Sequence, residues 1–139
     1  MNKLLLTHYT TQDNGVQFNL QFKDRLTLVG GDSGVGRTMM FKAIQRDASL
    51  DKRNEIICLD HTNFTSGHLE YVLNNAKNKV IFIDNADAIL NTDKRMQISM
   101  DKNNQYIILA NHTDGFKPNI KSLTELHIEN GKGILKYLL

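Results

Sequence analysis

The chain carries one cysteine, one proline and no tryptophan. A single thiol, Cys58, closes no intrachain disulfide, so nothing requires an oxidising compartment. A lone Pro118 leaves no proline-rich linker. No apolar run approaches the ~20 residues that a membrane-crossing helix needs. The apolar N-terminal stretch is too short for the core of a secretory signal. Charge of one sign is also scarce: the net charge is +2, too little for a global field that gathers nucleic acid or anionic lipid. There is no internal repeat, and His8, His61, His68 and His127 show no metal-ligand spacing. These absences lead us to expect a soluble cytoplasmic protein with no membrane insertion. Its 139 residues suit one domain, residues 1–139, around one core.

What is present is an alternation of short apolar runs with longer helix-compatible segments, which predicts an α/β layered fold. Residues 3–8 and 16–22 read as two strands of an N-terminal antiparallel hairpin, turning at Asp13-Asn14-Gly15. Residues 25–29, 55–59, 80–83 and 106–110 read as further strands, and 80–83 is apolar throughout, as suits a strand buried on both faces. Helices are predicted over 36–46, 67–77 and 93–101. Residues 124–129 and 133–138 form a C-terminal hairpin turning at Asn130-Gly131. The expected architecture is a mainly parallel central sheet flanked by helices, with a hairpin at each end. Cys58 falls in a strand and reads as a small apolar residue.

The segment Gly31-Asp32-Ser33-Gly34-Val35-Gly36-Arg37-Thr38 concentrates the chemistry. Its spacing is that of the phosphate loop (Walker A), G-x-x-x-x-G-K-[ST], with Arg37 in place of Lys. Glycines let the backbone take positive φ and approach a ligand without a Cβ in the way. Successive N–H groups then form a concave anion site, and the following helix adds its positive N-terminal dipole. Thr38 has the hydroxyl that this motif places on Mg²⁺. Arg37 keeps the positive charge but presents it as a planar fork instead of a point.

The apolar run 80–83 ends at Asp84, a carboxylate at a strand end suited to holding the same Mg²⁺. Where many ATPases of this layout have a base, this chain has Asn85, which accepts no proton at neutral pH. Asp87 either substitutes for that base or caps the segment that follows. Asn111 or His112, after the strand 106–110, can reach a terminal phosphate or the attacking water. Tyr9 can stack on an adenine ring or pack on the N-terminal hairpin.

Together these residues resemble the ATP-binding domain of ABC-type ATPases, within the phosphate-loop NTPases. The resemblance implies ATP and Mg²⁺ as cofactors. Tyr9 would stack on adenine, Gly31 to Thr38 would hold the phosphates, Thr38 and Asp84 would serve Mg²⁺, and His112 would contact the γ-phosphate. The chain departs from that family at several points. Residues 39–83, 45 in all, leave no space for the helical subdomain. The signature that completes a partner's site is missing, with Thr65-Ser66-Gly67 its faint echo. Walker Lys and catalytic Glu are replaced by Arg37 and Asn85. The expected function is therefore ATP binding with weak or no intrinsic hydrolysis, in a nucleotide-dependent switch acting on a protein partner or in a homodimer. An active minimal ATPase using Asp87 or His112 is the alternative. Arg25, Arg37, Arg46, Arg53 and Arg95 form no lid-like cluster, which ranks a kinase last. Lys117, Lys121, Lys132 and Lys136 lie late in the chain and are the candidates for nucleic-acid contact.

Overall fold

The structure, a computed structural model, describes residues 4–31, 36–63 and 65–138. The expectations placed on Asp32, Ser33, Gly34 and Val35 fall outside the described residues. Eight strands and four helices follow in the order β1 (His8–Asp13), β2 (Val16–Gln21), β3 (Leu26–Gly30), α1 (Arg37–Leu50), β4 (Ile56–Leu59), α2 (Ser66–Asn75), β5 (Val80–Ile83), α3 (Ala86–Ile89), α4 (Thr92–Met100), β6 (Gln105–Leu109), β7 (Leu123–Glu129) and β8 (Lys132–Tyr137).

All eight strands join one sheet in the order β1-β2-β8-β7-β3-β6-β5-β4. The pairs β3–β6, β5–β6, β4–β5, β3–β7 and β2–β8 are parallel. The two hairpins, β1–β2 and β7–β8, are antiparallel. Each hairpin turns on an Asn-Gly pair with both residues at positive φ, Asn14 and Gly15 in the first, Asn130 and Gly131 in the second. Such a turn matches the twist of the flanking strands and sets their register.

That register corrects the first strand. It runs from His8 to Asp13, not over residues 3–8, because the Asn14-Gly15 turn sets Asp13 opposite Val16 and His8 opposite Gln21. The segment HYTTQD is too polar to announce itself as a strand. Its inward residues are Tyr9 and Thr11, alternating with exposed neighbours. Helix α1 also extends past the expected end, to Leu50.

The core divides by strand periodicity. Ile81, Ile83, Tyr106, Ile108 and Leu28 point to one face, where Leu69, Val72 and Leu73 of α2 and Ile98 of α4 cover them. Val80, Phe82, Ile107, Leu109 and Val29 point to the other face and meet Met40, Phe41 and Ile44 of α1. Tyr9, Phe18 and Leu20 of the first hairpin join this second cluster, so the hairpin's apolar side closes over α1. β5 and β6 are buried along their whole length, which is why they read as continuous apolar runs. No helix among the described residues is long and apolar enough to cross a membrane.

Candidate nucleotide-phosphate site

The parallel strands β3, β6, β5 and β4 all end on the same edge of the sheet. Ligands of open α/β sheets collect at such carboxyl-terminal edges. β6 lies between β3 and β5, so Ala110 and Asn111 stand between the phosphate-loop strand and Asp84. A cavity of about 390 Å³ opens here, within the size range of small-molecule sites. Gly36 to Met39 and Lys42 of the α1 end form one wall. Asp60 and His61 after β4, Asp84, Asn85 and Asp87 after β5, and Leu109 to Asn111 from β6 complete it.

Gly36 directly precedes α1, and its φ of 95° places it in the left-handed region. A Cβ there would also approach Ile128 Cδ1 to 2.4 Å, so only glycine fits without displacement. The helix start has no side-chain cap bond and no acidic residue in its first turn. Among the described residues nothing acidic caps these N–H groups, and such a helix start favours an anion.

Thr38, in the first turn of α1, donates its hydroxyl to Asp84 Oδ2 at 3.1 Å. Asp84 itself is 6% exposed at the end of β5, and its backbone N–H donates to Leu59 O at 2.9 Å. A hydroxyl and a carboxylate side by side are hard oxygen donors that suit Mg²⁺. The two residues expected to hold the metal are therefore adjacent.

Arg37 turns toward the sheet. Its Nη1 donates to Ala110 O at 2.8 Å and to Val29 O at 3.2 Å, and its Nη2 donates to Asn111 Oδ1. Asn111, not His112, is the residue that lines the cavity. His112 is exposed, and its main chain serves elsewhere: the N–H donates to Asp87 Oδ1 at 3.2 Å and the carbonyl accepts from Arg95 Nη1 at 2.7 Å. Of the two candidates for the γ-phosphate, Asn111 lines the cavity and His112 does not.

Of the two expectations for Asp87, the structure bears on the cap. The residue sits in the first turn of α3, which Asn85 precedes, so it does not cap that helix. Its Oδ2 accepts from Asn111 N at 2.7 Å, and its Oδ1 accepts from His112 N and from Arg95 Nη2 at 3.2 Å. Burial pulls its pKa up. The two backbone N–H groups and the Arg95 guanidinium outweigh burial and hold the carboxyl below its ordinary value. With these three partners the carboxylate clamps the β6 end to α3. Arg95 completes the clamp from α4, buried, over the Phe116 ring at 5.0 Å.

Asn85 occupies the position of the missing base with φ 52° and ψ 47°. Asn tolerates this left-handed conformation better than Glu does, which gives the replacement a backbone reason.

Tyr9 is not brought to the cavity. It is 7% exposed inside the second core cluster, with the Arg53 guanidinium 6.0 Å from its ring centre. Burial, with Asp47 adding, pushes its phenol up to about 12. Packed this way, the ring follows the other expectation for Tyr9, packing on the N-terminal hairpin.

Sequence reading missed Asp60 and Lys42. Asp60 is buried at the end of β4, one strand over from Asp84. Burial raises its pKa, but the Thr62 hydroxyl, the N–H groups of Thr62 and Asn63, and Lys42 together hold it below the usual carboxylate range. Lys42 Nζ stands 3.9 Å from Asp60 Oδ2. A signal existed: Asp60 directly follows an apolar strand, as Asp84 does. Lys42 lies four residues after Thr38, one helical turn on.

A family model described as "ATPase family associated with various cellular activities (AAA)" matches residues 27–131. No curated protein and no solved structure shows a significant match to the chain.

Proposed function

Because the chain belongs to the ATPase family associated with various cellular activities, we propose that it binds ATP with Mg²⁺ at the sheet-edge cavity and hydrolyses it slowly or not at all in isolation. The carrying observation is the Thr38–Asp84 hydrogen bond, which joins the end of the phosphate loop to the second acid. In this reading residues 31–38 cradle the phosphates. Thr38 and Asp84 hold Mg²⁺, which would neutralise phosphate charge when bound.

Two features support slow turnover. Asn85 accepts no proton, and Asp87 is committed to two main-chain N–H groups and to Arg95. Each ~1.4 kcal/mol of lost transition-state stabilisation costs tenfold in rate. A bound nucleotide then serves as a switch for a protein partner or a second copy of the chain, in the cytoplasm, with residues 1–139 acting as one domain. The ABC-type reading draws its support from layout alone, an antiparallel hairpin before the phosphate-loop strand and a hairpin at the end of the chain, while the family shown is the AAA ATPases.

The test is calorimetric titration of ATP, ADP and GTP with and without Mg²⁺, beside a phosphate-release assay. ATP with Mg²⁺ should bind and raise the melting temperature, since a ligand of the native state stabilises it. No binding at millimolar nucleotide would end the proposal. Turnover faster than about one per second, lost in Asp87→Asn, would favour the active ATPase instead.

A further inference from the structure

At the position where the phosphate-loop motif has Lys, Arg37 donates, among the described residues, to three neutral oxygens. Two are main-chain carbonyls at the ends of neighbouring strands, Val29 O of β3 at 3.2 Å and Ala110 O after β6 at 2.8 Å. The third is Oδ1 of Asn111. A guanidinium can do this because its terminal nitrogens diverge in a fixed plane. An ammonium, with all its donors on one nitrogen, cannot reproduce that spread.

The consequence falls on Asn111. Its amide has an acceptor edge and a donor edge, and Arg37 carries donors only. The Oδ1 edge must therefore face Arg37, and the Nδ2 edge is turned away from it. The main chain of the same residue is held separately, by Asp87 Oδ2 at 2.7 Å from Asn111 N. Asn111 is pinned at both ends, on the wall of the cavity that also contains Thr38 and Asp84.

We propose that Arg37 is a positioning residue for Asn111: it locks the amide so that the N–H₂ edge is the one offered to the terminal phosphate of a bound nucleotide, and it does not act as the phosphate's own point charge. The assignment rests on the nucleotide reading above. It explains how a loop with Arg at this place keeps a use for it. The fork ties β3 to β6 and sets the polarity of one wall. Lys42, an exposed cation one helical turn past Thr38, also lines the cavity, where it stands 3.9 Å from Asp60 Oδ2.

Calorimetry on the full chain with ATP and ADP in Mg²⁺ distinguishes the two roles. The variants are Arg37→Lys, Arg37→Ala, Asn111→Ala and the double Arg37→Ala/Asn111→Ala, each checked for folding by its melting curve without nucleotide. Positioning predicts that Arg37→Ala and Asn111→Ala each weaken ATP about tenfold and ADP much less, and that the double is no worse than the weaker single, since the two act as one unit. Arg37→Lys should not restore ATP affinity. If Arg37→Ala fails to fold, the Arg37→Lys arm decides by itself. ATP bound by Arg37→Lys as tightly as by wild type, or losses that add in the double, would overturn the assignment while leaving nucleotide binding intact. A wild-type chain that binds neither nucleotide would remove the reading beneath it, and the assignment with it.

Discussion

The Thr38 hydroxyl and the Asp84 carboxylate meet at 3.1 Å across 46 positions of sequence. The contact joins the first turn of α1 to the end of β5. Asp84→Asn keeps the shape and the hydrogen-bond acceptor but removes the charge that a divalent cation needs. We expect Mg²⁺ to strengthen ATP binding in wild type, and Asp84→Asn to lose most of that gain, on the order of tenfold or more. Titrations with and without Mg²⁺ measure it. An undiminished Mg²⁺ effect in Asp84→Asn would contradict the metal assignment.

Asp87 should behave as a clamp, not as a base. Asp87→Asn leaves Arg95 buried without its counter-charge, and we expect a loss of about 1–3 kcal/mol in denaturant unfolding. The folded-state pKa lies below the ordinary 3.8. The stability Asp87 contributes is therefore complete above that value and is lost as pH falls through the lower, folded one. Wild type should lose stability in acid more steeply than Asp87→Asn. Parallel acid profiles for the two would argue against the clamp.

Tyr9 provides a test of packing against base stacking. Tyr9→Leu keeps apolar volume in the core but removes the aromatic face. We expect a cost of about 1–3 kcal/mol from imperfect fit. ATP affinity should stay within about twofold, because the contribution is to stability alone. A large loss of affinity in a folded Tyr9→Leu protein would return the ring to the nucleotide.

Gly36→Ala combines two penalties. A φ of 95° strains an alanine by about 1–2 kcal/mol, and the new Cβ meets Ile128 Cδ1. Adding Ile128→Val removes that terminal carbon. The double variant should therefore recover the steric part and retain the backbone part. Full recovery in Gly36→Ala/Ile128→Val would show that the left-handed backbone costs nothing here.

Cys58 should be slow toward thiol reagents. Burial, with Asp60 adding, pushes its thiol up to about 12, so little thiolate exists at pH 8. Alkylation of the native protein should be at least about a hundredfold slower than in denaturant. Equal rates would show the strand β4 open to solvent.

Much of the fold was legible because local rules decide it. Continuous apolar runs marked β5 and β6, and Asn-Gly pairs marked both hairpin turns. The first strand was not legible, since Tyr9 and Thr11 become an inward pair only once β2 is set beside them. In the site, the spacing of Gly31, Gly36 and Thr38, and an acid after an apolar strand, were enough to pair Thr38 with Asp84. They were not enough to choose between Asn111 and His112. Asp87 holds the main-chain N–H groups of both, and only the folded sheet edge puts Asn111 on the cavity wall.

By itself, the sequence determined the periodicities, the turn residues and the loop spacing, all of which act within a few neighbouring residues. Tertiary structure decided which groups have charge to spare. Asp87 and Arg37 look reactive in a linear chain, yet Asp87 accepts from Asn111, 24 positions on, and Arg37 donates to Ala110, 73 positions on, beside the nearer partners Arg95 and Val29. The reason is physical: a buried or half-buried charge takes whatever hydrogen bonds the fold brings to it, and those partners are set by the order of strands in the sheet and not by nearness along the chain.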